Sequence, residues 1–164
     1  MKLRNSLAFI ELIMSSGAAF ATCVQPSGTY SGPNAGVNYY EGQTAAITSF
    51  TTLIAFTSQT QGTFFQIGRF QALNTPSPTP PQILENQGTF SLASGGSGWI
   101  PAYCGGELTV TFINPPNPGP LTQTYAYTST NSGKNLSLTY ISGTFQGGLQ
   151  DYLVSTGTIR LEQQ

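Results

Sequence analysis

The sequence predicts an all-β protein, a single antiparallel β-barrel of about eight strands. Three observations carry this prediction. Segments rich in Thr, Tyr, Phe, Val and Ile are short and are separated by Gly, Pro and Asn, which is the composition of strands and turns. In several segments apolar and hydroxylic residues alternate, and a triplet of Gly, Thr and an aromatic residue recurs along the chain.

Alternation is clearest at 107–113, where Leu108, Val110 and Phe112 are separated by threonines. One face of such a strand is apolar and the other hydroxylic, as a half-buried strand requires. The segment 131–134, Asn-Ser-Gly-Lys, is typical of a tight turn between two hairpin strands. Strands are predicted at 29–30, 45–57, 63–73, 88–92, 107–113, 124–128, 136–141 and 158–161, and the Pro-rich stretches 75–81 and 115–120 are predicted to be loops.

The Gly-Thr-aromatic triplet recurs at uneven intervals, which argues against an array of structural repeats. We interpret each triplet as the start of a strand: glycine ends a turn, threonine begins the strand and the aromatic side chain enters the core. The triplets are Gly28-Thr29-Tyr30, Gly62-Thr63-Phe64, Gly88-Thr89-Phe90 and Gly143-Thr144-Phe145.

The N-terminal residues 1–21 have the order of a secretory signal peptide. A basic start precedes an apolar stretch at 7–14, and the small residues that signal peptidase reads occur at 19–21. Glu11 interrupts the apolar stretch, so an amphipathic N-terminal helix is the alternative. We expect cleavage after residue 21, a single barrel domain over 22–164, and a secreted, periplasmic or cell-surface location.

The chain has two cysteines, Cys23 and Cys104. An even number in an exported chain predicts a disulfide bond, and closing a loop of this length stabilises the fold by roughly 4 to 5 kcal/mol. Two alternatives stay open, lipidation of Cys23 and a pair of free buried thiols.

Composition excludes several functions. The chain has no histidine, which removes the usual general base and the commonest transition-metal ligand, so we expect neither a cofactor nor a metal site. Without residues 1–21, three basic residues remain against five acidic ones, and a surface without a basic patch is unsuited to nucleic acid. Of the acids, Glu107 is expected nearest the barrel rim, where a solvated strand-edge charge is its ordinary role.

Aromatic residues are the candidate ligand contacts. They could line a cavity on which an apolar ligand stacks, although side chains of this kind are commonly plain core. The candidates are Trp99, Phe112, Tyr125, Tyr127 and Tyr140.

Four motifs in the second half of the chain carry a resemblance. They are Gly-Thr-Phe at 88–90, Cys-Gly-Gly-Glu-Leu-Thr at 104–109, Asn-Ser-Gly-Lys-Asn at 131–135 and Ser-Thr-Gly-Thr at 155–158. Together they resemble a group of small secreted bacterial β-barrel proteins, lipocalin-like or calycin-like, of unknown function. The chain departs from that pattern at Tyr103, where the group has Asp. The resemblance implies the fold and export, and it implies no activity.

Three functions are therefore weighed. The first is binding of a small apolar or sugar-like ligand by the barrel, which predicts a pocket lined by aromatic residues. The second is interaction at a cell surface or in a matrix without a small-molecule ligand, which predicts an exposed apolar patch. The third is a cyclase-like or isomerase-like enzyme, which requires a buried carboxylate. The sequence leaves the ligand and the oligomeric state open.

Overall fold

A computed structural model gives the fold of most of the chain. The predicted signal peptide lies outside the described residues, as do most of the two Pro-rich stretches. The structure describes residues 23–40, 43–73, 80–113, 115, 120–145, 152–154 and 158–164.

Within these residues the chain forms nine strands and one short 3-10 helix. The helix covers Pro101–Tyr103. The strands are β1 Thr29–Tyr40, β2 Gln43–Phe56, β3 Gln61–Ala72, β4 Gln82–Leu92, β5 Gly105–Ile113, β6 Pro120–Thr130, β7 Asn135–Phe145, β8 Tyr152–Val154 and β9 Thr158–Gln163.

The strands close into one antiparallel barrel. From β1 to β7 each strand pairs with the next, and β7 pairs with β9. Strands β8 and β9 both pair with β1, at Asn38↔Val154 and Tyr30↔Gln163. The two short strands therefore lie end to end and together fill one strand position. The barrel has eight such positions. The predicted eight-stranded antiparallel barrel is confirmed.

Most strands are longer than predicted, β1 by the most. β1 continues through Pro33 to Tyr40, and β4 begins at Gln82 rather than at Gly88. The sequence of β1 is rich in Gly, Asn and Pro, which are poor strand formers. A ladder with β2 over the whole length of β1 holds it extended, so pairing overrides local propensity.

The two ends of the barrel differ. The lower end carries the connections 57–60, 93–104 and 131–134, and the upper end is the opposite one, where Tyr40 of β1 pairs with Gln43 of β2. Side chains that point inward in the lower half form a continuous core. Its buried members are Tyr30, Ile54, Phe64, Phe90, Leu108, Val110, Phe112, Tyr125, Tyr127, Leu136, Leu138, Ile159 and Leu161.

The N-terminal segment 23–28 crosses the lower end and closes it. Cys23 and Cys104 form the predicted disulfide, with their Cα atoms 4.9 Å apart. Pro26 is fully buried, and the Tyr30 hydroxyl donates to the carbonyl of Gly133 at 2.5 Å. The predicted turn at 131–134 is confirmed, with positive φ angles at its first three residues.

The prediction for the Gly-Thr-aromatic triplets is confirmed in part: Tyr30, Phe64 and Phe90 enter the core, but the glycines do not all end turns. Gly28 does precede its strand, but Gly88 and Gly143 lie within strands. In the register of β3 with β4, Phe64 faces Gly88 and Phe90 faces Gly62. A Cβ atom on Gly62 would collide with the Phe90 ring, so glycine is needed there for the ring to pack. On the outer face three triplet threonines fall into one row with Thr111 and Thr122, in the order Thr63↔Thr89↔Thr111↔Thr122↔Thr144.

Candidate ligand-binding site

An aromatic group separates the two halves of the barrel interior. Phe64 lies against Phe112 edge to face, with ring centroids 5.8 Å apart, and is stacked on Tyr125 at 6.3 Å. Tyr125 in turn meets Tyr140 edge to face at 5.9 Å. These four rings come from β3, β5, β6 and β7 and form a floor beneath the upper half of the barrel. We call them the aromatic floor.

Polar side chains point inward above the aromatic floor. Thr52 is fully buried, and Thr48, Gln66 and Gln123 are each at least 93% buried. We call this group the polar layer. It consists of Asn34, Thr48, Thr52, Gln66, Asn86 and Gln123, contributed by β1, β2, β3, β4 and β6.

Hydrogen bonds connect part of the polar layer. Gln66 Nε2 donates to Thr52 Oγ1 at 3.0 Å, and Thr52 Oγ1 donates to Asn34 Oδ1 at 2.6 Å. On the other side of the barrel the Tyr125 hydroxyl donates to Gln123 Oε1 at 2.6 Å. The layer is thus anchored to the aromatic floor through Tyr125.

In each of these side-chain amides, one of the two polar atoms makes a hydrogen bond. Among the described residues, Gln66 Oε1, Asn34 Nδ2 and Gln123 Nε2 have no hydrogen-bond partner. Leaving such a buried group unpaired costs about 1–3 kcal/mol, so natural proteins supply a partner from protein, water or ligand. The polar layer therefore offers both donors and acceptors to a guest molecule.

Side chains in the upper half remain in contact with solvent although they point into the barrel. Phe50, Phe70, Leu84, Asn34 and Asn86 are all only partly buried. The core side chains of the lower half, by contrast, are almost completely buried, and only Phe56, Leu92 and Trp99 near its end are partly exposed among the described apolar residues packed there. The upper half is the accessible part of the interior.

The described interior carries no formal charge. Glu107, expected near the rim, is exposed on the outer face of β5. Glu41 and Asp151 lie outside the described residues. None of the described acidic residues is the buried carboxylate that an enzyme requires. The described charged residues are all exposed, and they are Arg69, Glu85, Glu107, Lys134, Arg160 and Glu162.

Burial keeps the interior tyrosines neutral. Desolvation, with a smaller contribution from Tyr140, raises the pKa of Tyr125 far above its ordinary value of 10.0. Desolvation also raises the pKa of Tyr127 to about 12. For Tyr30 desolvation raises the pKa and outweighs a hydrogen bond from the Ser27 backbone, which lowers it. All three hydroxyls therefore act as hydrogen-bonding groups and not as acids at ordinary pH.

The structure divides the five candidate residues into two groups. Phe112, Tyr125 and Tyr140 belong to the aromatic floor. Trp99 and Tyr127 lie at the lower end, where their rings stack at 6.2 Å and the Tyr127 hydroxyl donates to the Gly98 carbonyl. The five residues thus do not surround one space.

Sequence reasoning missed the polar layer. Gln66 offered a signal, because it is a polar residue at an inward position between Phe64 and Gly68 in an alternating strand. Thr52 and Gln123 offered none, since threonine and glutamine are equally common on the outer face of this barrel.

A second concave feature lies on the outside of the barrel. It is an open groove of about 310 Å³ between β3, β4 and β5, lined by Thr63, Thr89, Ser91 and Thr111 among others. Most of its side chains are exposed hydroxyls, so it offers no buried group that needs a partner. It is the weaker candidate for a ligand site.

Other site chemistry is absent from the described part of the chain. Nowhere in it do three His, Cys, Asp or Glu side chains come together as metal ligands would. No helix in the same residues is long and apolar enough to cross a membrane.

Fold and site together define this chain as a closed up-and-down β-barrel that is filled at its lower end and has both buried polar and partly exposed apolar side chains inside its upper half. Comparison with family models, with curated proteins and with solved structures finds no match. The resemblance to small secreted lipocalin-like barrels consequently gains no support beyond the shared barrel architecture.

Proposed function

We propose that this protein binds one small, uncharged molecule in the upper half of its barrel. The observation that carries the proposal is the polar layer directly above the aromatic floor, in which each buried amide has a hydrogen-bond partner within the described part of the chain at only one of its two polar atoms. Eight-stranded barrels have interiors that are either filled by side chains or hold one small ligand. The lower half of this barrel is filled, and the upper half is accessible.

The chemistry of the two surfaces defines the ligand. The aromatic floor suits an apolar or ring-shaped body, and the polar layer suits hydroxyl, carbonyl or amide groups. Since no described interior side chain is charged, an ion would lose its hydration without gaining a counter-charge. An uncharged, partly apolar or sugar-like compound fits these conditions.

Export belongs to the same proposal. The Cys23–Cys104 disulfide supports it, because such bonds persist in oxidising compartments. The residues proposed as a signal peptide precede the disulfide, and N-terminal sequencing of the protein secreted by its host tests whether they are removed.

Octyl β-D-glucopyranoside, used below its micelle concentration, is a suitable probe because it joins a sugar to an alkyl chain. In ¹⁵N-labelled full-length protein we expect it to shift the side-chain amide resonances of Gln66 and Gln123. Octanoate has the same chain length with a charge, and we expect it to bind at least about 10-fold more weakly, since its carboxylate finds no counter-charge.

Two variants locate the site. Gln66→Met removes the amide while keeping the side-chain length, and we expect it to weaken binding at least about 10-fold, as loss of a buried polar contact does. Gln87→Met makes the same change on the outer face of β4 and should bind as the wild type does. Binding that is equal in both variants, or resonance shifts confined to the outer surface, would refute the proposal.

The second hypothesis, interaction at a surface, also has an observation in its favour. Several large apolar side chains are exposed on the outside of β2, β3 and β4. The third hypothesis, catalysis, has none among the described residues.

A further inference from the structure

One part of the outer barrel surface is apolar. Ile83 is 75% exposed, Ile47 48% and Ile67 42%, while Ile113 and Ile141 are exposed singly on other strands of an outer face that otherwise carries mainly Thr, Ser and Gln. Leu53 and Phe65 are half-buried on the same face and lie opposite each other. Ile47 lies apart from them, opposite Gln71, and we call Leu53, Phe65, Ile67 and Ile83 the outer apolar face.

Contiguous exposed apolar surface on a barrel is unusual and commonly marks an interaction site. Two charged residues that lie within this surface, Arg69 and Glu85, indicate which kind of partner binds there. Arg69 faces Ile83 across the β3–β4 ladder, and Glu85 faces Ile67. The four side chains thus form the corners of a rectangle, with the isoleucines on one diagonal and the opposite charges on the other.

Neither charge has an ion-pair partner among the described residues of its own chain. Glu85 Oε1 accepts a hydrogen bond from Gln87 Nε2 at 2.8 Å, and no contact to Arg69 accompanies it. Both charges are therefore available to a partner that brings the complementary arrangement.

We propose that the outer apolar face binds a second copy of this chain in a two-fold symmetric dimer. A two-fold axis along the Ile67–Ile83 diagonal, lying in the interface, places each isoleucine against its own copy. The same rotation brings Arg69 to the partner's Glu85 and Glu85 to the partner's Arg69. The surface is self-complementary, which is what a two-fold interface requires.

The geometry of the sheet fixes how the two barrels cross. Neighbouring strands are about 4.8 Å apart and alternate residues about 6.7 Å, so the diagonal is inclined at about 35° to the strands. Rotation about it makes the strands of the two copies cross at about 70°, within reach of the orthogonal class of sheet packing.

The contact is small. Because the barrel surface is convex, only the middle of β2, β3 and β4 can meet the partner, on the order of 500 Å² per copy. A total of about 1,000 Å² is at the low end for a specific complex, so we expect a dimer with a dissociation constant in the micromolar range.

Charge reversal provides the test. In Arg69→Glu, carboxylates face carboxylates across the axis, and in Glu85→Arg, guanidinium groups face one another. Sedimentation velocity of the full chain should show a concentration-dependent dimer for the wild type and at least about 100-fold weaker self-association for each variant. An equimolar mixture of the two variants should recover the dimer, because every facing pair is then of opposite charge.

A matched charge reversal elsewhere on the barrel serves as the control. Arg160→Glu reverses a charge on β9, outside the outer apolar face, and should dimerise as the wild type does. A wild type that stays monomeric to millimolar concentration would overturn the proposal, as would a dimer that is insensitive to both reversals. If the monomer instead co-sediments with phosphatidylcholine vesicles, the occupant is a lipid surface and the dimer is refuted.

Discussion

The lower and upper ends of this barrel are built from the same strands yet have opposite chemistry. At the lower end a disulfide, a buried proline and packed rings leave inward side chains almost no solvent contact. At the upper end buried amides have one polar atom without a partner among the described residues, and several inward side chains stay accessible. We therefore expect stability to be concentrated below the aromatic floor, and the binding site that we propose lies above it, in a part of the barrel that is not optimised for stability.

Removal of the disulfide should have the largest effect on stability and tests this division between the two ends. The double variant Cys23→Ser, Cys104→Ser should lower the free energy of unfolding by about 4 kcal/mol, because the bond closes a loop of more than 80 residues. Urea unfolding measures the change. Where the variant is still folded, its affinity for octyl glucoside should stay within about twofold of the wild type.

A loss below about 1 kcal/mol would show that the noncovalent contacts of segment 23–28 hold the lower end closed without the bond. Reduction of the wild-type protein with dithiothreitol is the matched control, since it breaks the bond without changing the sequence.

The next effect concerns one hydroxyl at the lower end. Tyr127→Phe removes the donor to the Gly98 carbonyl and should cost about 1–2 kcal/mol of unfolding free energy. Tyr103→Phe, at a residue that is 76% exposed, should change it by less than about 0.5 kcal/mol. Equal effects in the two variants would contradict a sealed lower end.

Tyr127 also gives stability a pH dependence. Its pKa is raised from 10.0 to about 12 by burial, so above pH 10 the unfolded chain binds fewer protons than the folded one. This contribution to stability is complete below pH 10 and is lost as the pH rises toward 12. Urea midpoints between pH 8 and 11.5 should fall above pH 10, and less steeply in Tyr127→Phe.

The smallest expected effect lies at the upper end. Gln66→Met exchanges a buried amide that is satisfied at one end for an apolar side chain of similar length, so stability should stay unchanged or rise by up to about 1 kcal/mol. The same variant should lose ligand affinity. A stability loss above about 2 kcal/mol would mean that the polar layer is a structural network and would weaken the contrast between the ends.

The sequence predicted much of the fold but little of the site. Alternation at 107–113 and the turn at 131–134 were sufficient because one buried face and one turn geometry leave local signals. β1 escaped recognition beyond Tyr30, since its Gly, Asn and Pro residues are held extended by β2 rather than by their own preferences. The aromatic candidates were chosen by residue type alone, which cannot tell Tyr125 in the aromatic floor from Tyr127 at the lower end.

Composition and spacing by themselves predicted an all-β chain with about eight strands and favoured a disulfide between Cys23 and Cys104, and the structure showed that the barrel closes and that the bond forms. These predictions follow from the two-residue period of a strand and from the count of cysteines, both of which are local or additive properties. Only the tertiary structure decided that Phe64 faces Gly88, that Gln66, Thr52 and Asn34 meet inside the barrel, and that Arg69 and Glu85 flank Ile67 and Ile83 outside. Register between strands distant in sequence sets these neighbours, and a shift of one residue would turn every side chain to the other face.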